Sequence, residues 1–156
     1  MESTMIASAQ YQVAEIELVY KTKVKASERP QVKTSSDAYQ VLKHSWDENK
    51  IEFVEQFKVM LLNRANKVLG IYELSTGGIS GTVADIRLIF AASIKSNASS
   101  IVLAHNHPSS NTKPSDADLQ LTRRIKEAGK LLDITVVDHI IVTVENYYSF
   151  ADEGEI

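Results

Sequence analysis

Leu103-Ala104-His105-Asn106-His107-Pro108 opens the stretch on which the reading of this chain turns, and Pro114-Ser115-Asp116-Ala117-Asp118 closes it. Ser99 to Ala104 is a short apolar run containing Ile101, Val102 and Leu103, which predicts a buried strand running straight into His105. Residues two apart in an extended segment project to the same side, so the imidazoles of His105 and His107 address one point. Pro108 and Pro114 mark the loop that follows. Ser115 to Leu132 then carries Leu119, Leu121, Ile125, Ala128 and Leu131 at helical spacing, with Ser115 as its N-cap. Asp118 falls in the first turn of that helix, where its carboxylate can point back toward the loop.

Two histidines and one carboxylate can share a zinc ion at ~2.0–2.1 Å and leave a fourth tetrahedral position open, the pattern of a catalytic zinc site. Each fragment also has an ordinary reading. Ser115-x-x-Asp118 is close to a capping box, and taken alone it favours capping. An isolated His-x-His on a loop is more often polar surface than a ligand pair. Strand, His-x-His-Pro, loop and Ser-x-x-Asp in succession favour the metal reading, with His105, His107 and Asp118 as ligands. The chain has no cysteine, which removes a disulfide scaffold, a thiol nucleophile and any thiolate zinc site from consideration.

Outward from this centre the chain alternates strands and helices. Tyr11 to Val24, rich in Val, Ile and Tyr, predicts a strand, and Lys25 to Lys33 a loop. Ser35-Ser36-Asp37 predicts a helix start, with Ala38, Val41, Leu42 and Trp46 at helical spacing. Phe53 to Leu62 and Val68 to Leu74 predict a hairpin closed by Asn63-Arg64-Ala65-Asn66-Lys67. Gly77-Gly78 and Gly81 predict a flexible loop, and Val83 to Lys95 a helix. Ile134 to Val144 and Tyr147 to Phe150 predict two last strands. The strands are apolar runs without clean alternation, so the expectation is a mixed sheet covered on both faces.

At 156 residues, 44% hydrophobic and 24% charged, the chain suits one globular domain that buries its own core. The net charge of −3 gives no global nucleic-acid footprint, so DNA is an admissible partner that charge does not support. The first residues, Met1-Glu2-Ser3-Thr4-Met5, lack the pattern of a signal peptide, and no apolar run spans a membrane, so a cytoplasmic protein is expected.

His-x-His, seven residues (108–114) and Ser-x-x-Asp together resemble the JAMM signature of metal-dependent peptidases. The wider context resembles the bacterial RadC family: Leu103 to Ser109, Pro114-Ser115, Asp138-His139-Ile140-Ile141-Val142 and Tyr147-Tyr148-Ser149-Phe150. The resemblance covers about residues 38–154. It implies an α/β fold, a single JAB/MPN domain similar to cytidine deaminases, with a mixed β-sheet flanked by helices on both faces. Residues 1–34 would be an N-terminal strand and loop extension and 35–156 the RadC-like domain. Two departures stand out. The family usually has Gly where this chain has Ser110, and too few residues precede the shared domain for the helix-hairpin-helix module that many members carry.

The resemblance also implies a reaction: zinc-dependent hydrolysis of a peptide or isopeptide amide in a peptide or protein substrate. Ser115 would hydrogen-bond the oxyanion, and an upstream glutamate would act as general base. The alternative it carries is a DNA-associated accessory role, in repair or on mobile elements. Glu52, Glu55 and Glu73 are candidates for the base. Glu55 is preferred because Glu55-Gln56-Phe57-Lys58-Val59 resembles the family's Glu-x-Phe-x-Val strand. For Asp138-His139, a supporting role behind the ligands and a purely structural role at the sheet both remain open. His44 is expected at the surface, Trp46 in the core, and the basic side of the long helix in solvent.

Overall fold

A computed structural model describes residues 9–77 and 83–156. Its elements are α1 (Ser35–Ser45), β1 (Gln56–Leu62), β2 (Val68–Thr76), α2 (Ile86–Lys95), β3 (Ser100–Asn106), α3 (Asp116–Leu131), β4 (Thr135–Val142) and β5 (Tyr147–Ser149). The five strands form one mixed sheet in the order β2-β1-β3-β4-β5. Only β3 and β4 pair in parallel, and α3 is their crossover; β1 pairs antiparallel with both β2 and β3, and β4 antiparallel with β5.

The central strands are buried on both faces, which is why they read as unbroken apolar runs. Strand alternation divides the core in two. Met60, Leu62, Val102, Ala104, Ile140 and Val142 meet Ala38, Tyr39 and Leu42 of α1. Phe57, Val59, Leu61, Ile101 and Leu103 meet Ile89 and Phe90 of α2 and Ile125 of α3. His105 continues the second set, so its imidazole faces the α2/α3 side. The register shifts between Ile101 and Val102, where Val136 and then Asp138 are the partners. That bulge leaves Val137 out of register, so that alternation beyond it gives Asp138 the face of Val102 and His139 the face of Leu103.

Several boundaries differ from the sequence expectation. Tyr11–Val24 is not a strand: it joins no ladder among the described residues, and Val13, Ile16 and Leu18 are exposed. Its β-favouring composition describes a side chain's fit to a pleated, half-buried surface, and this segment pairs with neither edge of the sheet. A side-chain bond, Tyr20 Oη to the Leu69 carbonyl at 2.5 Å, ties the segment to β2. β1 begins at Gln56 instead of Phe53, because residues 50–53 turn through bonds from Lys50, Ile51, Phe53 and Val54 N–H. α2 begins at Ile86, capped by Asp85, and leaves Val83 in the preceding coil. Gly78 and Gly81 of the expected flexible loop lie outside the described residues. The hairpin is as expected: Asn63 Oδ1 accepts the Ala65 and Lys67 N–H groups, and Asn66 turns the chain at φ 59°. No described helix is long and apolar enough to cross a membrane.

Gly129, near the end of α3, fixes how the crossover returns to β4. A Cβ there would lie 2.3 Å from the Ile134 carbonyl oxygen, while Ile134 N–H donates to the Gly129 carbonyl at 2.8 Å. In an unobstructed helix Gly→Ala stabilises by about 0.5–1 kcal/mol. Gly129→Ala should reverse that sign and destabilise by about 2 kcal/mol or more, because helix and strand must separate. Urea unfolding of the variant checks this; a variant as stable as the parent would contradict the packing described.

Candidate metal centre

The end of β3 and the start of α3 bring the sequence-predicted ligands together. His105 is 2% exposed, within β3, and His107 lies half-buried just past the strand's end. Asp118 is the third residue of α3. His105 Nε2 and His107 Nε2 are 3.0 Å apart, and Asp118 Oδ2 lies 3.4 Å from the first and 3.5 Å from the second. Three tetrahedral ligands at zinc bond lengths would be ~3.3 Å apart, so these atoms already have the spacing of one ion's coordination shell. Imidazole and carboxylate without thiolate also suit a divalent transition metal. The donor set therefore fits zinc on both distance and chemistry.

Outer contacts orient the two imidazoles so that each turns Nε2 inward. His107 Nδ1 bonds the Asn111 carbonyl at 2.5 Å, across the loop between the ligands. His105 Nδ1 bonds His139 Nε2 at 2.7 Å. Asp118 is held by the capping box: its Oδ2 accepts the Ser115 N–H at 2.9 Å, and Ser115 Oγ accepts the Asp118 N–H at 3.0 Å. The capping and ligand readings of Asp118 thus fall on the same oxygen. The Ser115 hydroxyl accepts in the cap and donates in none of the described hydrogen bonds, leaving its proton for an oxygen in the adjoining space. Ser110 N–H bonds the His107 carbonyl at 2.9 Å with φ 65°, a left-handed conformation. Glycine reaches that conformation without the Cβ penalty that Ser110 carries.

The electrostatics follow from this crowding. Burial pushes the Asp118 carboxyl up, but hydrogen bonds from His105 and His107 and from the Ser115 backbone outweigh it and hold the group well below the usual carboxylate range. The bond to Asp118 raises His107 above its ordinary value; burial opposes the shift and the Asn111 carbonyl adds to it. His139, wholly buried, is pushed well down by desolvation first and by the neighbouring His105 second.

Of the three candidate glutamates, Glu55 is at the site. It immediately precedes β1, and its carboxylate, with one nitrogen from each of His105 and His107, forms a group whose atoms all lie within 4.8 Å of one another. Glu52 is exposed in the turn before β1. Glu73 is engaged elsewhere, accepting from Gln56 Nε2 at 2.5 Å. Asn106, between the two histidines, bonds outside its own loop. It is fully buried, accepts Gln56 N–H at 2.7 Å, and donates to the Ile51 and Val54 carbonyls at 2.7 and 2.9 Å. Asn106 therefore pins the turn that carries Glu55 against β3.

Asp138 and His139 have separate roles. Asp138 faces the α1 side and accepts from Ser149 Oγ at 2.6 Å, Ala151 N–H at 3.0 Å and His139 N–H at 2.7 Å, anchoring the chain after β5. His139 faces the site, stacked on Phe150 with ring centroids 4.4 Å apart. Sequence reasoning missed Thr122, whose Oγ1 lies 2.6 Å from His139 Nδ1. Its only available signal was helical spacing, one turn beyond Asp118 on the same face. His44 is exposed and bonds the Gln40 carbonyl, and Trp46 is buried with Lys58 Nζ 4.3 Å from its ring centroid, as expected of both.

A mixed sheet with helices on both faces, carrying a His-x-His strand end opposite a helix-start aspartate, defines a JAB-type domain. The RadC-like JAB domain model matches residues 32–155, and the chain belongs to that family. It is similar to a UPF0758 protein of Flavobacterium johnsoniae, 49% identical over 100 residues, or 64% of this chain and 44% of the relative. A UPF0758 protein of Porphyromonas gingivalis is 46% identical over 64% of this chain and 44% of its own length. One of Geotalea uraniireducens is 36% identical over 74% of this chain and 50% of its own. The matched regions thus span half or less of these curated relatives.

The raised His107 pKa has a direct consequence. A proton on His107 competes with metal up to a pH above the ordinary histidine value of 6.5. The same shift stabilises the metal-free fold, fully below 6.5 and progressively less as pH rises through the raised value. Apparent zinc affinity should therefore climb from about pH 5.5 and level off only above neutrality. Chelator competition across about pH 5.5–8.5 measures it, and a flat profile would contradict the placement of His107 in the ligand set.

Proposed function

We propose that this chain is a zinc-dependent hydrolase of the JAMM type that cleaves a peptide or isopeptide amide bond. The observation that carries the reading is the convergence of His105 Nε2, His107 Nε2 and Asp118 Oδ2, at 3.0 to 3.5 Å from one another, with the Glu55 carboxylate beside the two imidazoles. His105, His107 and Asp118 would hold the ion and leave a coordination position open. A bound zinc supplies a Lewis acid that brings the pKa of water toward ~7.

The chain's own residues have distinct tasks in this reading. Glu55 accepts a proton from the attacking water and hands it to the leaving amine, which needs a carboxylate within hydrogen-bond reach and partly shielded from solvent. Ser115 donates its hydroxyl proton to the carbonyl oxygen as negative charge builds there. The capping box restricts where that hydroxyl can go, since its oxygen is tied to the Asp118 N–H. Asn106 sets the height of Glu55 over the site through the turn it pins.

Glu55→Gln should retain zinc at the parent stoichiometry while losing about 100-fold or more of the hydrolysis of a quenched-fluorescent peptide library. A variant that hydrolyses the library as fast as the parent would remove Glu55 from the role of base. A zinc-loaded parent that cleaves neither this library nor an isopeptide-linked conjugate would count against the amidase reading.

A further inference from the structure

We propose that His139, set by Thr122, is a positioning residue that locks His105 in the tautomer carrying its proton on Nδ1, so that Nε2 presents a lone pair to the metal. The inference rests on the metal reading of the site.

The Asp118 carbonyl can only accept. Thr122 Oγ1 lies 2.7 Å from the Asp118 carbonyl oxygen, so the single hydroxyl proton of Thr122 is committed there. The 2.6 Å contact between Thr122 Oγ1 and His139 Nδ1 must then take its proton from the ring. His139 is 0% exposed and packed between Phe57 and Phe150, surroundings in which an imidazolium without a carboxylate partner is strongly disfavoured. A neutral imidazole has one N–H, and here it is at Nδ1, so Nε2 carries a lone pair. The partner 2.7 Å from that lone pair, His105 Nδ1, must donate. In the neutral form that a metal ligand must take, His105 is left with a bare Nε2, the atom that faces His107 and Asp118.

The chain of bonds closes on itself. It leaves Asp118 by its carbonyl, passes through Thr122, His139 and His105, and meets the Asp118 carboxylate again at the proposed ion. Three elements are joined by it: α3 through Asp118 and Thr122, β4 through His139, and β3 through His105. Metal-ligating histidines usually give their outer N–H to a carboxylate, a carbonyl or water, as His107 does to Asn111. His105 gives its own to a second imidazole, whose tautomer must itself be fixed, and Thr122 fixes it. A hydroxyl acceptor at 122 is therefore required, whereas an isosteric valine would leave the His139 N–H without a partner.

The test uses the full chain and two measurements. In the metal-free parent, long-range 1H–15N correlation of histidine-labelled protein near pH 8 should show His139 protonated at Nδ1 and bare at Nε2; the reverse tautomer would overturn the inference without any mutation. Zinc affinity by chelator competition should then fall about 10–100-fold in Thr122→Val and stay near the parent value in Thr122→Ser. Near-ultraviolet circular dichroism of the metal-free variants separates this from misfolding. A folded Thr122→Val that binds zinc like a zinc-binding parent overturns this inference and leaves the metal site standing. A parent that binds no zinc overturns the metal reading and this role together.

Discussion

The Asp118 carboxylate is the point on which the arrangement depends. One of its oxygens accepts the Ser115 N–H that closes the cap of α3 and also stands 3.4 and 3.5 Å from the inward nitrogens of the two histidines. Helix entrance and strand end are therefore positioned against each other by a single atom. An anion at a helix N-terminus is favoured by the unsatisfied N–H groups and by the helix dipole. Burial alone would penalise that anion, and the histidine bonds reverse the balance. The desolvation cost of this partly buried carboxylate is met by the groups that would share a cation with it.

The molecule contains its own control. α1 opens with the same device: Thr34 Oγ1 accepts the Asp37 N–H at 3.1 Å, and Asp37 Oδ2 accepts the Thr34 N–H at 3.1 Å. Asp37 is also shifted down, but by backbone bonds from Lys33 and Thr34, and it stands at a solvated helix end. The capping box is thus the shared local grammar of both helices. What distinguishes Asp118 is the pair of imidazoles facing it, which belongs to β3 and to the parallel crossover that returns α3 over that strand's end. Fold topology, not the motif alone, turns a cap into a candidate ligand.

Much of this was legible in the sequence, for identifiable reasons. The His105/His107 pair and Asp118 could be read because strand alternation and helix-start chemistry are local rules that survive folding. The central strands β1 and β3 could be read because burial on both faces leaves largely apolar runs. Tyr11–Val24 misled because strand composition says nothing about whether a segment pairs with a sheet edge. Glu55 was separated from Glu52 and Glu73 by resemblance; its nearness to the histidines depends on Asn106 bonding a turn 50 residues away in the chain. Thr122 was out of reach for the same reason: its link to His139 crosses from α3 to β4, and taken alone it looks like ordinary core, whereas for His139 the sequence left a supporting role open beside a structural one.

The central claim is that His105, His107 and Asp118 hold one zinc ion with room for another ligand. Zinc K-edge absorption of the zinc-loaded chain tests it most directly. The account predicts one zinc per chain, with two imidazoles and oxygen donors at ~2.0–2.1 Å, and loss of that shell in Asp118→Asn. Zinc bound without imidazole scattering, or with an identical shell in Asp118→Asn, would contradict it.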